Sequence, residues 1–360
     1  MKIAIILGTR PEIIKLYSIL KYCEKNNINY TLIHTNQHYS ENMDQIFFEE
    51  LNLPKPEYNL NIHSGTHGKQ TGIMLEKIEE VLLKEKPTHV FVQGDTNSVL
   101  AGALAASKLN IKVCHIEAGL RSYDKNMPEE INRIVTDHVS DFLFCPTIKQ
   151  KEILLSEGIS EKKIFVTGNT IVDVIYQIEK NLNSSILKKN NLIKNNYILL
   201  TMHRPSNVDN KEILSKQINN ISKIARIYST KVIFPIHPRT QKNIGKFNIN
   251  VPKEIIIISP LGFKDLLALE LNAKMIITDS GGIQEEACIL NIPSLNLREN
   301  TERPECVEVG ASRVVGSSYK KLEEGFKYYL KNRKKWNNPF GDGQAFQIIF
   351  NILKDESQYK

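Results

Sequence analysis

The chain has 360 residues, 41% of them hydrophobic and 24% charged, with a formal net charge of +7. That length can bury two cores, and the composition is that of an ordinary globular protein, which excludes disordered and collagen-like chains. The lysines are dispersed, as in "KKNNLIKNN" (188–196), with no basic stripe interleaved with aromatics, so a solvated surface that steers anionic substrates is expected, not nucleic-acid binding.

The five cysteines are odd in number, widely spaced and free of any CxxC, which argues against a disulfide framework or a structural zinc site and for reduced, cytoplasmic thiols. The opening "MKIAIILGTRPE" has too short an apolar run for a signal peptide and reads as a first buried strand. No run approaches the roughly 20 apolar residues that span a bilayer, so a soluble protein is expected.

Short β-rich runs alternate with amphipathic stretches. "IAIIL" (3–7), "YTLIH" (30–34), "HVFVQ" (89–93), "VCHI" (113–116), "FLFC" (142–145) and "IFVTG" (164–168) are separated by helical patterns at 11–26, 69–86 and 97–109. After a polar segment at 180–195 the pattern restarts with "YILLTM" (197–202), "VIFPIH" (232–237), "IIIIS" (255–259), "KMIITD" (274–279) and "SLNL" (294–297). Continuous apolar strands with intervening helices predict parallel sheets covered on both faces. The expectation is two doubly wound α/β domains, residues 1–175 and 176–342, with a terminal helix (343–360) returning to the first. Ligands of such sheets bind beyond the carboxyl ends of the strands.

The residues that follow the strands therefore carry the functional reading. "GTRPEIIK" (8–15) places Pro11 at a helix start, with Arg10 and Lys15 able to face an anion. It is not GxGxxG, and no nicotinamide cofactor is indicated. In "QGDTNS" (93–98) Asp95 is either an N-cap or an active carboxylate. "HIEAGLRS" (115–122) sets Glu117 and Arg121 at a strand end, and "NMPEEINR" (126–133) adds Glu129, Glu130 and Arg133 at a helix start. Clustered carboxylates of this kind suit general acid–base chemistry. In the second half, His203 with Arg204 and His237 with Arg239 follow successive strands, and "NTERPE" (300–305) supplies Arg303. The stretch "TDSGGIQEEA" (278–287) combines a glycine-rich helix start, which favours phosphate, with two glutamates, which repel it. A nucleotide would want both. His34/His38 and His63/His67 have i,i+4 spacing but lie on no convincing helix, and no DxD occurs, so no metal is expected.

"GTRPE", "GDT", "EAGLRS", "PEEINR", "HR", "DSGGIQEEA" and "TERPE", in that order across nearly the whole chain, resemble the non-hydrolysing UDP-N-acetylglucosamine 2-epimerases. The resemblance implies a glycosyltransferase-B type fold with two domains facing a cleft. It also implies a homodimer, no cofactor, and interconversion of UDP-N-acetylglucosamine and UDP-N-acetylmannosamine for surface polysaccharides. The implied route is elimination of UDP across C1–C2 to 2-acetamidoglucal, then re-addition with protonation on the opposite face. Asp95, Glu117 and Glu129 become the acid/base candidates, with His203 as a catalytic group. Arg10, Lys15, Arg133, His203 and Arg303 would contact diphosphate or sugar, and Ser280, Gly281 and Gly282 would cradle the diphosphate. Glu286 would accept the ribose hydroxyls, and the loop from Leu261 to Leu266 would offer backbone groups to uracil.

Hydrolysing relatives tend to read "GTRAEYG" where this chain reads "GTRPEII". Epimerases of diacetamido uronic sugars share the stretch like "QHYSENMDQIFFEELNLP" and "SGTHGKQTG", but tend to have Trp where Arg303 stands. A glycosyltransferase of the same fold would need an acceptor site and has less use for three carboxylates. Many bacterial members carry Arg and Glu where this chain has Pro205 and Ser206, and Arg where it has Tyr39, near a second, activating UDP-N-acetylglucosamine. Weak or absent activation is therefore expected, although Lys69, Gln70 and His237 could supply part of that second site.

Overall fold

The computed structural model describes residues 1–37, 47–63, 65–332 and 335–358. His38 and Tyr39 lie outside them. The chain divides into two compact units: Met1–Gln177 with Phe340–Lys360, and Ile178–Pro339.

The first unit holds a seven-stranded parallel sheet in the order β3-β2-β1-β4-β5-β6-β7. The strands are β1 (Lys2–Leu7), β2 (Asn29–His34), β3 (Tyr58–Asn59), β4 (His89–Gln93), β5 (Lys112–Ile116), β6 (Phe142–Cys145) and β7 (Ile164–Val166). Ile5 pairs with Leu32 on one side and Phe91 on the other, and Ile3 to Leu7 are wholly shielded from solvent. That is why this strand is apolar from Ile3 onward and does not alternate. The terminal helix Ala345–Gln358 packs against Tyr17–Lys25 through stacked Phe350 and Tyr22, ring centroids 4.5 Å apart. The Phe346 N–H donates to Asp173 at 3.0 Å, and burial pushes that carboxyl up to about 6.

The second unit holds six parallel strands in the order β10-β9-β8-β11-β12-β13. They are β8 (Tyr197–Thr201), β9 (Lys231–Pro235), β10 (Ile255–Ile258), β11 (Met275–Thr278), β12 (Ser294–Asn296) and β13 (Ser312–Val314). The strand order reverses between β1 and β4 in one sheet and between β8 and β11 in the other. Successive crossovers part to opposite faces there and leave a crevice at the carboxyl ends.

Local chemistry sets these ends. The helix pattern at 11–26 is two helices, Arg10–Lys15 and Tyr17–Lys25, the first opened by a capping box between Thr9 and Glu12. Gly8 leaves no room for a side chain: a Cβ there would lie 2.2 Å from both Ser98 Oγ and Thr35 Oγ1. The polar segment 180–195 contains a short helix, Ser185–Lys189, which anchors itself through buried Ile186 and Leu187. Among the described residues no helix is long and apolar enough to cross a membrane.

Candidate active site

In the first unit the strand ends gather ionic groups. Lys15 Nζ donates to Glu117 Oε1 at 2.6 Å, both side chains nearly buried, while Gln93 Nε2 donates to Oε2 at 2.5 Å. Asn169 Nδ2 approaches Oε1 at 3.4 Å. Glu117 sits at φ +71°, a region that non-glycine residues rarely occupy. Asp95 Oδ2 receives Arg133 Nη2 at 2.6 Å and Nε at 3.0 Å, and Asn132 holds the Asp95 carbonyl at 2.9 Å. The N-cap of the helix Asn97–Lys108 is Thr96, whose hydroxyl accepts from Val99 N, so Asp95 is not spent on capping.

The carboxylates of "PEEINR" separate in role. Glu130 accepts from Ser122 N, Tyr123 N and Arg133 Nη1 at 2.7–2.8 Å. Burial opposes its ionisation, but these donors hold it below the usual carboxylate range. Glu129 stands one residue earlier in the first turn and is only half-buried. Arg121 pairs with Asp137 Oδ2 at 2.7 Å and with Glu157 at 2.6 Å, so it is structural and does not face the Glu117 carboxylate. Arg10 lies over the Phe47 ring at 4.3 Å.

In the second unit, Asp279 is the hub. Fully buried, it accepts the N–H groups of His203 at 3.0 Å and Arg204 at 2.9 Å, and Asn207 Nδ2 at 3.1 Å. Burial pushes this carboxyl up, yet the bonds from His203, Asn207 and Arg204 outweigh it and keep the group ionised. His203 Nδ1 lies 3.3 Å from Asp279 Oδ1, and its ring centroid is 5.3 Å from that of His237. Immediately after Asp279, Ser280 caps the helix Gly281–Ile289, its Oγ accepting from Ile283 N. Ser280, Gly281 and Gly282 thus form a helix start of the kind that binds anions. Glu286 lies half-buried on the same helix, one turn further on.

Arginine–carboxylate pairs lie near that helix start. Arg303 Nε lies 3.4 Å from Glu285 Oε1. Arg298 grips Glu302 through two contacts of 2.8–2.9 Å. Burial resists a charge on Glu302, but Arg298, then Arg303 and Arg204, hold it at about 2. Among the described residues Arg204 Nε is buried and meets no acceptor. Leu261 belongs to the loop before the helix Phe263–Asn272, whereas Leu266 is within that helix and its N–H already donates to Gly262 O at 3.1 Å.

Sequence reasoning missed Asp279, Glu302, Gln93 and Asn169. Asp279 stands within a stretch singled out for its glycines, and only burial reveals what it supports.

Fold and strand-end chemistry define an α/β enzyme with carboxylates gathered at the strand ends of one unit and a glycine-rich, serine-capped helix start in the other. The family model for UDP-N-acetylglucosamine 2-epimerase matches residues 21–354. A UDP-N-acetylglucosamine 2-epimerase of Methanocaldococcus jannaschii is 58% identical over 98% of this chain and 99% of its own. The crystal structure of that epimerase, in complex with UDP-GlcNAc and UDP, superposes with a TM-score of 0.90 over 98% of this chain and 99% of the other. The Neisseria meningitidis UDP-GlcNAc 2-epimerase bound to UDP-GlcNAc is 34% identical and also reaches 0.90, covering 99% of this chain and 100% of its own. A UDP-2,3-diacetamido-2,3-dideoxy-D-glucuronate 2-epimerase of Pseudomonas aeruginosa is 42% identical over 98% of this chain and 99% of its own. The chain belongs to the UDP-N-acetylglucosamine 2-epimerase family.

Proposed function

We propose that this enzyme interconverts UDP-N-acetylglucosamine and UDP-N-acetylmannosamine. The observation that carries the reading is full-length similarity, at 58% identity, to an enzyme of that name. The C2 proton is not adjacent to a carbonyl and is poorly acidic, so direct deprotonation is unfavourable. Elimination avoids the difficulty: a base removes the C2 proton, the C1–O bond breaks, and UDP leaves with the electron pair to give 2-acetamidoglucal. Re-addition of UDP with protonation of C2 from the opposite face gives the epimer. Asp95, Glu117 and Glu129 are the proton-handling candidates. Lys15 Nζ stands 2.6 Å from Glu117 Oε1 and so sets a cation directly beside that side chain.

In the second unit the Ser280-Gly281-Gly282 helix start would receive the diphosphate on its N–H groups, with His203, Arg204 and Arg303 answering its charge. Glu286, a turn beyond, would meet ribose hydroxyls and not phosphate, which removes the conflict in "GGIQEEA". The Leu261 loop would offer backbone groups to uracil, and Arg10 and Arg133 would contact substrate. The five free, buried cysteines fit a reducing cytoplasm, and the family resemblance supports assembly as a homodimer. The test is incubation with UDP-N-acetylglucosamine in D₂O, without added metal or nicotinamide, followed by NMR. The manno epimer with deuterium at C2 is expected. Free N-acetylmannosamine as main product, turnover only of the diacetamido uronic analogue, or sugar transfer to an acceptor would each overturn the reading.

A further inference from the structure

The helix Phe263–Asn272 carries one acidic side chain to its buried face. Glu270 is wholly shielded from solvent, and among the described residues neither of its carboxyl oxygens meets an N–H or O–H donor. The Glu286 carboxylate, on the neighbouring Ser280-capped helix, lies close enough for the two charges to interact. The other charged or titratable groups around it are engaged elsewhere or exposed. Tyr197 on β8 donates its hydroxyl to Leu269 O at 2.5 Å, Glu285 faces Arg303 at 3.4 Å, and Lys188 and Lys189 of the helix packed alongside are exposed.

Two ionised carboxylates in contact away from water repel each other and also lose their hydration. One proton reverses the sign of the contact, because a neutral carboxyl O–H donates to a carboxylate in a short, charge-assisted bond. Exposure decides which partner keeps the proton. Glu270 is shut off from solvent, whereas Glu286 is only half-buried. We infer that Glu270 is a positioning residue: as a neutral acid it donates to Glu286 and fixes the carboxylate that receives the ribose hydroxyls. This rests on the assignment of Glu286 to the ribose. Burial first, and then the Glu286 charge, push the Glu270 carboxyl well above its ordinary value, in the same sense.

The test is UDP affinity by calorimetry for the full chain, at pH 7 and then from pH 8 upward, where the second ionisation of phosphate, near pKa 6, is about 99% complete. Wild type should lose affinity on the alkaline side as Glu270 ionises and repels Glu286. Glu270→Gln keeps a neutral donor and should bind without that alkaline loss. Glu270→Met fills the space without a donor and should bind about tenfold more weakly than Glu270→Gln at pH 7, the scale of one lost charged hydrogen bond, with the loss in KM and not kcat. Equal affinities of the Gln and Met variants would reduce Glu270 to packing and overturn the inference. So would an alkaline loss that persists in Glu270→Gln, which stands even if the Met variant fails to fold. Glu286→Gln separates the premise: unchanged UDP affinity there would remove the ribose assignment itself.

Discussion

Glu12 closes the turn after β1, and its ionisation should be visible in the stability of the protein. Gly8 N and Thr9 N donate to its Oε2 at 2.5 and 2.8 Å, and Thr96 Oγ1 donates to Oε1 at 2.5 Å. Burial outweighs these bonds and pushes the carboxyl from 4.5 up to about 7. Between those values the folded chain keeps a proton that the unfolded chain has released. This contribution to stability is therefore complete below about pH 4.5 and is lost as pH rises through about 7. At about 1.36 kcal/mol per pH unit, the interval corresponds to about 3 kcal/mol. His34 works against it: burial lowers its imidazole from 6.5 to about 4, so its contribution grows as pH rises over that range. The two slopes oppose each other below pH 6.5, and the wild-type curve alone is not diagnostic. The difference between wild type and Glu12→Gln is. The amide offers Gly8 and Thr9 a poorer acceptor, a cost that does not vary with pH. Urea midpoints at intervals from pH 4.5 to 8 should show the deficit of Glu12→Gln shrinking by about 3 kcal/mol as pH rises. Parallel curves, constant to within about 1 kcal/mol, would mean that Glu12 ionises normally in the fold and would refute the reasoning.

Three further outcomes follow. Asp95→Asn, Glu117→Gln and Glu129→Gln should each lower kcat by about 10²–10⁴ with much smaller change in UDP affinity, and all three staying within about tenfold of wild type would dismiss them as proton carriers. Gly119→Ala forces a Cβ to within 2.6 Å of the Gln150 carbonyl at φ +83°, and should cost roughly 1–3 kcal/mol or more by thermal unfolding; an unchanged Tm would show that the loop simply moves. Reaction of pure UDP-N-acetylmannosamine should start linearly, because Pro205 and Ser206 lack the charged fork that arginine offers a diphosphate; a lag abolished by trace UDP-N-acetylglucosamine would establish a second, activating site.

The sheets were legible because strands buried on both faces must be apolar throughout. The strands that escaped are Tyr58–Asn59 and Ser312–Val314, both at sheet edges, where two or three residues with polar members suffice. Position along the chain also marked the strand-end carboxylates. What it could not mark is which charged groups face a ligand and which hold those that do. Glu12 and Glu130 both stand in the first turn of a helix, yet each is a buried acceptor for backbone N–H groups of an adjoining turn. Asp279 shows no periodicity and no spacing to an obvious partner, because its partners at His203 and Arg204 come from another strand.

Glu117 and Arg121 make the sharpest case. Four residues apart in "EAGLR", they look like an acid and a cation of one site. The backbone separates them: Glu117 at φ +71° and Gly119 at φ +83° turn the loop twice, so Glu117 reaches Lys15 while Arg121 is buried against Asp137 and Glu157. A left-handed glutamate costs on the order of 1–3 kcal/mol, and a sequence reader expects glycine in that conformation. Glycine would relieve the strain and lose the carboxylate. The residue is held there by Lys15, Gln93 and Asn169, three polar side chains from three separate segments, which together offset the strain. A backbone kept unfavourable to aim one carboxylate, with its supports drawn from across the unit, is a stronger reason to assign Glu117 to the chemistry than the motif that first drew attention to it.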